Sequence, residues 1–131
     1  MNSPIKWVGG KRNIRKELIS MMPKHTQYCE VFAGALWVML EKEQSKIEIV
    51  NDVNDDLINF YKVIQDKSKC DELINRLYFL PKSREIFDEY DIKIKKKDYK
   101  DDIEQALMFY YLLKLVFGGR FDRVKKSFCV P

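Results

Sequence analysis

"QYCEVFAGALWVMLEKEQSKIEIVNDVN", Gln27 to Asn54, holds two apolar runs joined through a glycine turn. The first, "QYCEVF", is a short run of strand formers that meets Gly34. "AGALWVMLEK" then predicts a helix. "SKIEIV" sets lysine and glutamate between isoleucine and valine, a period of two that predicts a second strand. "NDVND" is turn chemistry, because Asn and Asp side chains bond their own backbone there. Asp55 is placed to cap a helix, "DLINFYKVIQD", with Leu57, Ile58, Tyr61 and Ile64 on one face. Upstream, Ile14, Leu18, Ile19 and Met22 follow helical spacing from Lys11 until Pro23 stops it. Helix, strand, helix, strand, helix implies a parallel sheet with right-handed crossovers.

The second half changes character. "CDELINRLYFL", "KSREIFDEYDIKI" and "DIEQALMFYYLLKLVF" all predict helices, and "GGRFDRVKKSFCV" predicts a hairpin. The expected division is a nucleotide-fold half over residues 1–66 and a helical region over 67–131. The net charge of +4 suits a polyanionic partner but does not demand one. No apolar run is long enough for a membrane span, and the N-terminus lacks a signal-peptide pattern. Cys29, Cys70 and Cys129 are widely spaced with no CxxC pair, which argues against a zinc site and a disulfide framework. A cytoplasmic protein without a metal is expected.

The chemistry concentrates in two places. Gly34 ends the first strand, and Asp52 lies 18 residues on, at the end of the second. In a dinucleotide-type fold that glycine lets the chain approach a ligand, and the acidic residue takes the ribose hydroxyls. The pair fits an adenosine-containing ligand; it equally fits a generic turn beside a surface aspartate. Leu36 stands where a second glycine would give a pyrophosphate room, which weakens a nicotinamide or flavin reading. At the N-terminus, "IKWVGGKRNI" puts two glycines between Trp7 and Lys11, where neither helix nor strand favours them. Near the other end, Arg120, Arg123, Lys125 and Lys126 interleave with Phe121 and Phe128, a pattern suited to phosphate contact and base stacking. His25, the only histidine, reads as a loop residue, and "FYYLLKLVF" reads as core.

The order "KWVGGK", "EVFAGA", "NDVN" and "DLINFY" resembles the Dam-type DNA adenine methylases, phage and prophage members above all, whose glycine turn often reads GA-x-W as in "FAGALWVML". "YYLLKLVFGGRF" is similar to the same group. The resemblance implies a partial class I, Rossmann-like methyltransferase fold followed by a helical DNA-recognition subdomain. It implies S-adenosylmethionine as cofactor and double-stranded DNA as substrate. It places Trp7 and Lys11 in the first cofactor-binding segment and Asp52 at the ribose. Glu30, Phe32 and Gly34 then fall in the strand and turn beneath the methionine part. DNA contact would begin near Arg120 to Lys126. The family's Asp-Pro-Pro-Tyr motif, which would hold the adenine amine, is absent: the four prolines, Pro4, Pro23, Pro81 and Pro131, are never adjacent. No catalytic residue is therefore assigned. The chain is expected to be an N-terminal part, inactive alone. A C-terminal methylase half would complete it, or it would be a non-catalytic prophage remnant that binds DNA or a partner.

Overall fold

A computed structural model describes residues 2–116. The predicted hairpin and the four basic residues from Arg120 to Lys126 lie outside them. The chain forms two compact units, one ending at Val53 and one beginning at Asn54.

The first unit carries α1 (Arg15–Ser20), β1 (Gln27–Glu30) and β2 (Ile47–Val50). The two strands pair in parallel, with Gln27 opposite Ile47 and Glu30 opposite Val50. The pairing runs on past the strands: Asn51 N–H donates to Glu30 O at 2.9 Å, and Ala33 N–H donates to Asn51 O at 3.0 Å. Both chains thus leave the sheet side by side at its carboxyl end. Two expectations need correction here. The helix expected from Lys11 is only six residues long, because Ile14 at its N-cap offers no side-chain acceptor. The helix expected over "AGALWVMLEK" is a series of turns, although isolated bonds such as Leu40 N–H to Leu36 O form. Leu36 has φ 54°, the left-handed region, and a regular helix cannot run through such a residue.

The second unit, among the described residues, is helical: α2 (Asp55–Gln65), α3 (Lys67–Tyr78), α4 (Arg84–Lys96) and α5 (Asp102–Leu115). Its N-caps are side chains. Asn54, Asp66, Ser83 and Asp101 each accept from a backbone N–H of the first turn of the helix that follows. The cap of α2 is therefore Asn54 rather than Asp55. Its buried face is Leu57, Phe60 and Val63; of the expected Leu57, Ile58, Tyr61 and Ile64, only Leu57 lies on it. α5 is the centre of the unit. It is apolar on nearly all sides, and Ala106, Met108, Phe109 and Leu112 are wholly buried. Phe60 of α2 lies beside Phe109 and stacks on Tyr110, with ring centroids 5.9 and 5.5 Å away.

Candidate cofactor site

A pocket of about 260 Å³ opens in the first unit at the carboxyl ends of β1 and β2. Its walls come from Trp7 to Lys11, Glu30, the turn Phe32 to Trp37, and Asp52. Ligands of open α/β sheets bind at this end of the strands, where the turns leave the sheet.

Two tryptophans and two glycines build it reciprocally. Trp7 Cδ1 lies 3.1 Å from where a Cβ on Gly34 would stand. Trp37 Cδ1 lies 3.3 Å from the same point on Gly10. Each indole rests on the glycine of the other segment, so both glycines are needed for close approach. Gly34 also has φ 47°, which a side chain resists. Arg12 and Arg15 stand over the Trp37 ring, 5.4 and 5.6 Å from its centroid. Arg15 Nε donates to Glu41 Oε2 at 2.6 Å, and this ion pair holds the Glu41 carboxyl below its usual range. The cations near the start of α1 thus have local partners.

The charged groups of the pocket are fixed. Lys11 Nζ donates to Glu30 Oε1 at 2.8 Å and to Phe32 O at 3.1 Å, which occupies two of its three donors. Glu30 is 3% exposed, and its Oε2 is buried with no hydrogen bond from any described residue. A buried carboxylate oxygen left without a donor is costly, so Glu30 carries an unmet demand for an N–H or O–H group. Asp52 Oδ2 accepts from Gly34 N–H at 3.1 Å, which ties the end of β2 to the turn after β1.

The structure therefore brings Trp7, Lys11, Glu30, Gly34 and Asp52 to one pocket, as sequence reasoning grouped them. Phe32 borders it too, but its side chain is 75% exposed and its carbonyl is the group that acts. Gly10, Leu36 and Trp37 were missed as pocket residues. Their signal was available in the spacing: each tryptophan lies three residues from one glycine and packs on the other. Among the described residues no cluster of histidine, cysteine and carboxylates that would hold a metal ion occurs. His25 stays at the surface with Nδ1 2.7 Å from Pro23 O.

A second polar network braces the sheet from outside the pocket. Lys42 is buried, and its Nζ donates to Glu48 Oε1 at 2.6 Å, Ser45 Oγ at 2.8 Å and Glu43 O at 2.9 Å. It also stands 4.6 Å from the centroid of the Tyr28 ring. Burial, helped by the charge of Glu30, pushes the Tyr28 hydroxyl up to about 12. The bond from Lys42 and that from Ser45 N–H hold the Glu48 carboxyl below its usual range.

The sequence profile of the D12 class N6 adenine-specific DNA methyltransferases matches residues 7–129. A type II methyltransferase of Methanocaldococcus jannaschii is 31% identical over 97% of this chain and 50% of its own length. The DNA adenine methylase of Escherichia coli K12 is 29% identical over 88% of this chain and 41% of its own length. A type II methyltransferase of Lactococcus lactis is 31% identical over 96% and 45%. The chain spans about half the length of the curated relatives it matches. It belongs to the D12 class of N6 adenine-specific DNA methyltransferases.

Proposed function

We propose that the first unit binds S-adenosylmethionine and that the chain serves methyl transfer to the exocyclic amine of adenine in DNA. The observation that carries this is Glu30: a buried carboxylate lining the pocket, one oxygen held by Lys11 and the other without a donor among the described residues. An amino-acid zwitterion answers both halves of that pair. Its ammonium would satisfy Glu30 Oε2 once the carboxylate turns that oxygen into the pocket, and its carboxylate would face the remaining donor of Lys11. Asp52, held by Gly34 N–H, would accept from the ribose hydroxyls, and Trp7 would offer its ring. The pocket volume of about 260 Å³ lies below the range of about 300–1,000 Å³ usual for whole ligands. It would therefore enclose the methionine and ribose end and leave the base to further walls.

When bound, S-adenosylmethionine supplies the methyl group. This chain's residues orient it. The acceptors that would hold the adenine amine are not among these 131 residues, which contain no Asp-Pro-Pro-Tyr. A C-terminal methylase half would complete a class I, Rossmann-like sheet, and double-stranded DNA would be the substrate.

Calorimetric titration with S-adenosylmethionine, with NADH as control, tests the site. Saturable binding of the first alone is expected. Glu30→Gln and Asp52→Ala should each abolish it. A folded chain that binds neither ligand would favour the non-catalytic remnant instead.

A further inference from the structure

Trp37 borders the pocket, yet its described contacts run to the N-terminal segment. Its Cδ1 and Nε1 lie 3.3 and 3.4 Å from where a Cβ on Gly10 would stand. Arg12 and Arg15 stand over its ring. Arg15 is tied in turn, by Nε to Glu41 and by Nη1 to the Arg12 carbonyl. The indole is thus gripped by residues on both sides of Lys11 in the chain, Gly10 before it and the two arginines after it.

That segment needs something to hold it. Residues 2–14 form neither helix nor strand. Trp7 to Gly10 is a tight turn: Gly10 N–H donates to Trp7 O at 3.1 Å, and Gly9 has φ 74°, the left-handed value that such a turn asks of its third residue. One bond of this kind, net of the water it displaces, is too weak to hold a segment without packing. Ile5 is 2% exposed and anchors the start of the segment. Trp37 on Gly10 anchors its end.

Lys11 follows Gly10 directly. Its ammonium is a point charge on a flexible four-carbon stem, so it meets fixed partners well only from a fixed main chain. Two of its donors go to Glu30 and to the Phe32 carbonyl. The direction of the remaining donor then depends on where the turn sets the Lys11 main chain.

We infer that Trp37 is a positioning residue: by lying on Gly10 it fixes the main chain at Lys11 and aims the remaining donor at the carboxylate of the bound amino-acid end. The inference rests on the reading of this pocket as a site for S-adenosylmethionine. It makes a narrow demand. Trp37 should matter to the ligand's carboxylate and not to the rest of the ligand.

The test is calorimetric titration of the full chain with two ligands. One is S-adenosylmethionine, and the other is its decarboxylated analogue, which keeps the ammonium, the sulfonium and the nucleoside. The parent should bind the first more tightly by about tenfold or more, the effect of one charge-assisted hydrogen bond. Lys11→Met should close that gap. Trp37→Ala should close most of it with Lys11 in place, weakening the first ligand and leaving the second unchanged. Added to Lys11→Met, Trp37→Ala should change the gap no further, because both act through one donor. Trp37→Phe should restore most of the gap, since a phenylalanine ring carries an aromatic carbon where the indole has Cδ1. Gly10→Ala loads the same contact from the other side and should close the gap too, which keeps the test open if the Trp37→Ala chain does not fold. Trp7 and Trp37 are the only tryptophans, so Trp7 emits alone in both Trp37 variants. Acrylamide should quench it more in Trp37→Ala than in Trp37→Phe. A parent that binds the two ligands alike, or equal losses for both in Trp37→Ala and Gly10→Ala, or an unchanged gap in both, would overturn the positioning role alone. A parent that binds neither ligand would overturn the reading of the pocket and this inference with it.

Discussion

Leu36 carries the strain of the pocket turn. Its φ of 54° is a conformation that costs a residue with a Cβ about 1–2 kcal/mol. Its side chain is nevertheless 7% exposed, so packing offsets the strain. Two variants separate these effects. Leu36→Ala loses the packing and keeps the strain; Leu36→Gly loses both. Both should be less stable than the parent to urea. The glycine variant should be the more stable of the two by about 1 kcal/mol, the reverse of the order seen inside helices. An alanine variant at least as stable as the glycine one would show that the turn is unstrained. Gly34 makes a complementary case. A Cβ there would press on Trp7, whereas one on Gly9 would meet nothing within 4 Å. Gly34→Ala should weaken S-adenosylmethionine binding at least about tenfold, or 1.4 kcal/mol, by moving Trp7. Gly34 and Asp52 were legible from their places at the ends of the two strands, whereas Trp7, Lys11, Glu30 and Phe32 were grouped with them only through the resemblance. The conformation of Leu36 was not legible, since an apolar residue after Gly-Ala reads equally well as the start of a helix.

At the scale of elements, the helices of the second unit were legible because each opens on a residue whose side chain can cap it. "AGALWVMLEK" failed because its composition favours a helix while the tertiary need for a close turn at Leu36 overrides it. The face of α2 was misread for a related reason. Apolar residues at 57, 58, 60, 61, 63 and 64 fit two adjacent stripes, and only packing on α5 selects Leu57, Phe60 and Val63. "FYYLLKLVF" did read as core, but the polar task of Tyr111 was invisible without its partners. That task can be tested by removing one oxygen. Tyr111→Phe leaves the ring and deprives Ser83 N–H of its acceptor and Pro81 O of its donor. A part-buried N–H without an acceptor costs about 1–3 kcal/mol, which should appear as a lower urea midpoint. Hydrogen exchange should accelerate at Ser83 while the amides of α5 keep their order. A variant as stable as the parent, with Ser83 still protected, would show that the turn between α3 and α4 holds itself.

The whole molecule divides between a small sheet unit and a helical unit, and they answer acid differently. In the sheet unit, Glu48 links β2 to the buried Lys42, and its carboxyl is held below the usual range by that bond. In the helical unit the comparable case is Asp102, lowered by the bond from Lys69, but both of those side chains are more than a third exposed, so solvent screens the pair. A depressed carboxyl contributes stability that is fully present above its unfolded value, about 4.3 for Glu, and lost as pH falls through its folded value. Between those two values the unfolded chain binds the extra proton, so stability falls with pH there. The loss belongs mainly to the sheet, because protonating Glu48 leaves Lys42 buried without its counter-charge. Hydrogen exchange from pH 6 down to pH 3 should therefore show the amides of Ile47 to Val50 losing protection before those of α5, after correction for intrinsic exchange. Glu48→Gln keeps an oxygen to accept from Lys42 and from Ser45 N–H but removes the titrating charge. This variant should start with a less protected sheet at pH 6 and lose less of that protection on the way to pH 3. Parallel acid losses in parent and variant would place the proton elsewhere and detach the sheet's stability from the Lys42 network.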